Sequence, residues 1–255
     1  MSNFFLIFRH YFFRMIREPI ALLIFILLPL SLVFMNNMIN FALVDVADDI
    51  VNGYSMSATF VAVAIALLFQ FIGGSLVMDA FYTELRASLR WRLLAAPVSM
   101  NKYMMANLLA CIIYSVLMGV LVFAISAIFF NAYLHNPLVV LGVLVTTSTF
   151  SQLLGMLLFF LCKRKNAAEA IIGVFAGTMG VGMGFLGINF GRAADFIFNN
   201  ITPLAVSLRA VTFSGFANAD MNADMNIVIT NWGILIALTV VLAVAVFTLG
   251  RRQTL

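Results

Sequence analysis

Charge is what this chain has least of. Only 9% of its 255 residues are Asp, Glu, Lys or Arg, while 64% are hydrophobic. A soluble domain carries roughly 25% charged residues, so the composition excludes a water-facing globular protein, and the surplus apolar surface must face lipid. Cysteine is nearly missing. Cys111 and Cys162 both lie within or at the end of apolar runs, at a spacing that fits neither a disulfide framework nor a metal site, and they read as small packing residues. The only histidines are His10 and His135. No His-Glu-x-x-His pattern occurs and no Ser or Cys has an evident base partner, which argues against catalysis. A Gly-x-x-x-x-Gly-Lys-Ser/Thr loop is lacking too, so this chain has no usual cradle for ATP. The apolar runs also lack the buried charges expected of a proton- or ion-coupled carrier.

The few charges present are ordered. Twelve of the fourteen Lys and Arg residues occupy every second gap between long apolar stretches. They are Arg9, Arg14 and Arg17; Arg86, Arg90, Arg92 and Lys102; Lys163, Arg164 and Lys165; and Arg251 and Arg252, with Arg192 and Arg209 as exceptions. Basic loops stay on the cytoplasmic side during insertion. These gaps therefore read as inside, and those holding Asp45, Asp48, Asp49, Asp195, Asp220 and Asp224 read as outside. The net charge of +4 then reflects orientation rather than a nucleic-acid partner. A bilayer core takes about 20 apolar residues in a helix. Six stretches qualify: 20–43, 54–80, 104–131, 138–162, 170–189 and 227–250. An even number is what two cytoplasmic termini require. The sequence predicts an all-α polytopic membrane protein, a single transmembrane domain over 1–255 with six transmembrane helices.

Between the spans, three segments have their own character. Over 4–17, helical spacing sets Phe4, Phe8, Tyr11, Phe12 and Met15 on one side and Asn3, His10, Arg14 and Arg17 on the other. This predicts an amphipathic interfacial helix over 1–18, with Arg9, Arg14 and Arg17 toward headgroups or a cytoplasmic partner, ended by Glu18-Pro19. The apolar run that follows is too long for a cleavable signal peptide. In the loop 81–103, residues 83–96 carry Leu85, Leu89, Leu93 and Ala96 along one stripe with Arg86 and Arg90 beside it, and Pro97 stops the helix. A charged prong of this kind suits a grip by another protein, or rests on headgroups. The external segment 191–226 is apolar for a loop, yet its candidate helices at 193–199 and 203–213 are far shorter than a span. Backbone cannot lie open to lipid, so the segment is expected to dip partway in as a re-entrant pair.

Inside the spans the polar groups are mild: Gln70, Asn107, Ser115, Ser126, Gln152 and the run Thr146-Thr147-Ser148-Thr149. Hydrogen bonding between helices accounts for them. Gln70 and Gln152 are the best pathway candidates, because each amide needs partners. In the fifth run Gly173 and Gly177, and Gly180 and Gly184, have the four-residue spacing that lets helices approach closely. Tight packing, a subunit interface and a hinge all fit, and Gly177 and Gly180 join the possible pathway residues.

Glu84-Leu85-Arg86-Ala87-Ser88-Leu89-Arg90-Trp91-Arg92-Leu93-Leu94-Ala95-Ala96-Pro97-Val98-Ser99, followed by Lys102-Tyr103, resembles the signature loop of type-2 ATP-binding-cassette exporter permeases. The external Ile201-Thr202-Pro203-Leu204 is similar to that family's motif before the last span. The family often has a Gly-Thr pair where this chain has Ala87-Ser88. The resemblance implies a half-transporter in a prokaryotic cell membrane, with nucleotide-binding ATPase subunits made separately. ATP and Mg would then bind the partner, with no cofactor in this chain. It implies a second permease copy, a homodimer in preference to a heterodimer. It makes 83–96 the coupling helix, with Glu84, Leu85, Arg86, Leu89, Arg90, Leu93 and Pro97 contacting the ATPase.

The expected function is a non-enzymatic membrane subunit of an ATP-driven exporter for hydrophobic or amphipathic compounds such as drugs, peptides or lipids. The 26 Phe and 15 Met residues suit an adaptable apolar path. Polysaccharide export is weaker, since Trp and Tyr number two and six; a non-transporting immunity or scaffold protein is the alternative from another class. Charge reversal at residues 163–165 is expected to disturb topology more than turnover, as read by cysteine accessibility from each side and by flux; an effect on turnover alone would contradict a purely topogenic role.

Overall fold

The computed structural model describes residues 3–43, 50–51, 54–85, 99–132, 136–182, 202–214 and 224–253. Helix α1 (Asn3–Arg17) stops at Glu18, and Pro19 opens α2 (Pro19–Leu22). A π-helical turn, Leu23–Leu27, then joins α2 to α3 (Leu28–Leu43). Its cause is Pro29. Proline has no N–H and its ring collides with the carbonyl four residues back, here that of Phe25. Widening the turn, with the Leu28 N–H bonded to the Leu23 carbonyl, makes room without ending the helix. Two-residue strands β1 (Ile50–Val51) and β2 (Tyr54–Ser55) pair antiparallel before α4 (Met56–Ile72). A single turn at Gly73 separates α4 from α5 (Gly74–Leu85). There follow α6 (Met100–Phe130), α7 (Pro137–Leu161), α8 (Lys165–Gly182), α9 (Pro203–Thr212) and α10 (Met225–Gln253).

Among the described residues, four helical stretches are long and apolar enough to cross a membrane: Ala58–Leu85, Met100–Phe130, Pro137–Leu161 and Met225–Gly250. The first runs through both α4 and α5; its 28 residues reach roughly 40 Å at 1.5 Å per residue. The expected spans at 20–43 and 170–189 fall on shorter pieces, the apolar helix Leu23–Met38 and α8, and residues 183–189 lie outside the described set. Helix starts follow capping rules. The Asn136 side chain accepts from the Val139 N–H ahead of Pro137, and the Thr202 hydroxyl accepts from the Ala205 N–H ahead of Pro203. Each polar cap satisfies one orphan donor, and each proline sits where no donor is needed. Asn131 closes α6 in the left-handed region at φ 51°, which Asn tolerates better than most residues.

Helix α7 is the hub, packing against α4, α5, α6, α8, α9 and α10. Tyr11, Met78, Phe81, Tyr114 and Phe159 centre one apolar cluster that joins α1, α5, α6 and α7. Leu67, Phe71, Leu144, Leu204 and Leu235 centre a second, joining α4, α7, α9 and α10. Outward, Ile128, Phe129, Leu138 and Val241 are each about two-thirds or more exposed, the apolar face that lipid covers. Close approach depends on glycine. A Cβ on Gly155 would lie 2.0 Å from the Gly74 carbonyl oxygen, and one on Gly74 would lie 2.4 Å from that of Ser151. Gly173 and Gly177 on α8, by contrast, have nothing within 4 Å of a built Cβ.

Gly155→Ala should therefore destabilise the isolated chain by about 3 kcal/mol, the upper part of the range for overpacking. Gly177→Ala should leave thermal stability within about 1 kcal/mol of the parent or raise it, since alanine favours the helix. Melting curves in detergent check both.

Candidate functional site

The last turns of α5 are tied to three neighbours. At the tip, Arg14 of α1 donates from Nη1 to Glu84 Oε1 at 2.8 Å. The Glu84 side chain is 8% exposed and that of Arg14 46%, so a nearly buried carboxylate meets a half-solvated cation. Glu84 Oε2 is buried with no partner among the described residues. One turn back, Lys165 of α8 donates to Asp79 and lies 3.6 Å from Glu169. The Asp79 bond holds the Lys165 ammonium above its usual basicity, yet both partners are well exposed and the contact is worth under about 1 kcal/mol. On a third side, the Tyr82 hydroxyl donates to the Cys162 carbonyl at 2.6 Å. Helix α1 is fixed again where the Tyr11 and Tyr103 hydroxyls share a hydrogen bond, their rings edge-to-face at 5.8 Å. Burial pushes the Tyr11 phenol above its ordinary value, against the lowering effect of Arg14. It stays protonated at neutral pH and so bridges the two helices.

Beyond Leu85 the chain enters 86–98, outside the described residues, so Arg86, Leu89, Arg90, Leu93 and Pro97 have no described placement. Leu85 packs against the first cluster. On α1, Arg9 lies over the Phe13 ring at 5.9 Å. Arg9, Arg14 and Arg17 line an open recess of about 820 Å³ with Leu6, His10, Phe13 and Glu18.

The second feature lies deeper, where α4 gives way to α5. The Gly73 N–H reaches the carbonyls of Phe69 and Gln70, and the Gly74 N–H leaves the helical ladder to donate to Ser151 Oγ at 2.7 Å. Ser151 Oγ in turn donates to the Phe71 carbonyl at 2.7 Å. Gln152 Nε2 donates to the Gly73 carbonyl at 2.8 Å. Gln70 exchanges two bonds with Ser115 of α6: its Nε2 donates to the Ser115 carbonyl at 2.8 Å, and Ser115 Oγ donates to its Oε1 at 2.6 Å. The two amides weighed as pathway residues are thus 2% and 0% exposed and bonded to their own subunit's helices. Gly177 faces outward on α8 and Gly180 is buried. The structure brings Gln70 and Gln152 together around Gly73, while a Cβ built on Gly177 would have nothing within 4 Å.

Sequence reasoning missed Ser151, the Arg14–Glu84 pair and the Tyr11–Tyr103 bond. An acid inside an otherwise apolar run signals a need for a basic partner, and Glu84 is that acid. Nothing local marks Ser151 above the other hydroxyls of α7. Among the described residues no group of three or more His, Cys, Asp or Glu is placed to hold a metal.

Removing Arg14 leaves Glu84 buried without its cation. Arg14→Ala is expected to lower stability by about 2 kcal/mol, less than for a fully buried pair because Arg14 is half solvated. The double variant Arg14→Ala/Glu84→Gln should recover part of that loss; equal losses in single and double would remove the pair as the cause.

No curated protein matches this chain. Residues 51–248 match the family described as ABC-2 family transporter protein, a stretch that runs from β1 through the Gly73 break and the buried α9 to the last turns of α10, and on that match the chain belongs to the ABC-2 transporter family.

Proposed function

We propose that this chain is the permease half of an ATP-driven exporter that moves hydrophobic or amphipathic compounds out of the cytoplasm. Family membership makes it a membrane permease component of an ABC transporter, the non-catalytic part, and implies a partner ATPase subunit. In the proposed topology α2–α3 and the run beginning in α8 complete six spans, both termini are cytoplasmic, and α1 lies along the inner interface. Helix α9 supports the re-entrant reading. It is 10 residues long, about half a bilayer core, and almost wholly buried against α4, α7 and α10. A homodimer is proposed to form through α8, whose outward Gly173 and Gly177 leave room for another helix.

The observation that carries the coupling role is α5. It passes directly into the loop 86–98 and is held to α1 by Glu84, to α8 by Asp79 and to α7 by Tyr82. A partner gripping the loop would pull on a helix already wired to three others. Arg86, Leu89, Arg90, Leu93 and Pro97 are proposed as the grip. Glu84 is proposed to act one step back, linking the grip to α1. The apolar substrate class is supported by a recess of about 170 Å³ lined by Met104, Met105, Met156, Phe160, Val246 and Phe247, with Asn101 at one side. Its soft, polarisable lining adapts to varied apolar shapes.

Co-expression with a nucleotide-binding ATPase subunit, reconstitution in liposomes and flux of an amphipathic dye check the reading. Arg86→Ala/Arg90→Ala should weaken transport by about tenfold, the factor for about 1.4 kcal/mol of lost interface energy, while the ATPase still hydrolyses ATP. Ion conductance without any ATPase would overturn the exporter reading in favour of a channel.

A further inference from the structure

We propose that Ser151 is a positioning residue that keeps the span Ala58–Leu85 in two pieces, so that the α5 half moves with α7 as one lever about a pivot at Gly73–Gly74. The mechanical consequence rests on the exporter reading; the geometry does not.

A continuous helix would pair the Gly74 N–H with the Gln70 carbonyl. Here the Gly73 N–H takes that carbonyl at 3.1 Å, and the Gly74 N–H goes to Ser151 Oγ. The same oxygen gives its hydrogen to the Phe71 carbonyl. One hydroxyl from another helix therefore serves a backbone donor on one side of the break and a backbone acceptor on the other. A side chain inserted in the ladder is a recognised cause of a helix kink. Inside a bilayer an unpaired backbone group is costly, so the break persists because Ser151 fills it. Gln152 adds a bond to the Gly73 carbonyl.

Helix α7 packs on both pieces, on the outer one through Leu144 and Phe150 against Phe71 and Leu67, but only the inner one meets it backbone to backbone. The outer piece is fastened to α6 through Gln70 and Ser115, and Gly119 admits the Gln70 amide so closely that a Cβ there would lie 2.5 Å from its nitrogen. The inner piece is fused to α7. Gly74 and Gly155 bring the backbones into contact, Phe81 and Tyr82 pack edge-on against Phe159, and Tyr82 bonds the Cys162 carbonyl. Force on the end of α5 meets a soft point at Gly73 before it reaches α4, but no soft point between α5 and α7. The inner half and α7 then turn together, and the apolar side-chain contact between α4 and α7 takes up the change at the break.

Spin-label distances test this in a Cys111→Ala/Cys162→Ala background. In the permease alone in nanodiscs, labels at Phe60 and Thr83 report the angle between the two pieces. Ser151→Ala should shift or broaden that distance by several ångströms, and Ser151→Thr, which keeps the hydroxyl, should restore it. An unchanged distance in Ser151→Ala would overturn the pin. In the complex with its ATPase, ATP trapping should leave the Thr83–Leu161 distance constant and shift Thr83–Asn101 by several ångströms. Equal shifts in both pairs, or none in either while other distances respond to ATP, would overturn the lever. This wild-type comparison stands even if Ser151→Ala does not fold. Failure of any ATPase to associate would count against the exporter reading alone, because the measurement on the permease by itself needs no partner.

Discussion

Inside lipid, every backbone N–H and C=O must find its partner within the protein, and the rest of this structure follows from that requirement. It makes the long apolar stretches among the described residues helical. It also means that any departure from a regular helix has to be repaired on the spot. Three departures show three repairs. The π turn before Pro29 shifts the ladder by one residue and keeps it closed. At Gly73 the hydroxyl of a neighbouring helix takes over two ladder positions. At α9 a helix too short to cross is buried against three others.

Charge is treated as sparingly as backbone polarity. The described ion pairs, Arg14–Glu84 and Asp79–Lys165–Glu169, join α1 and α8 to the closing turns of α5. Their contribution to stability is modest where solvent reaches them. Their effect is geometric, because they fasten α1 and α8 to the end of α5. The buried Glu84 is the strongest constraint of the set, since its carboxylate has left water and relies on Arg14. The apolar bulk supplies cohesion and the few polar contacts supply direction.

Much of the design was legible in the sequence. Apolar run length predicts six spans, of which four are long apolar helices among the described residues and those at 20–43 and 170–189 fall on shorter pieces; the short helix expected over 203–213 is found as Pro203–Thr212, capped by Thr202. The resemblance carried by residues 84–99 and 201–204 agrees with the family match over 51–248. The glycines were harder to read. Gly173 and Gly177 announced themselves by spacing, yet nothing of their own chain approaches them, whereas Gly74 and Gly155, with no pattern between them, meet almost atom on atom. Four-residue spacing reports which face is smooth, and says nothing about what presses on it.

The sequence by itself determined that the chain is a helical membrane protein, which end of each run carries basic charge, and where several helices begin, because these depend on local composition and on neighbours a few residues away. Only the tertiary structure decided that Gln70, Ser115, Ser151 and Gln152 converge on one turn and that Glu84 faces Arg14. Those pairings join residues 45 to 80 positions apart in the chain. Their existence depends on the rotation and depth of whole helices, which no short stretch of sequence encodes.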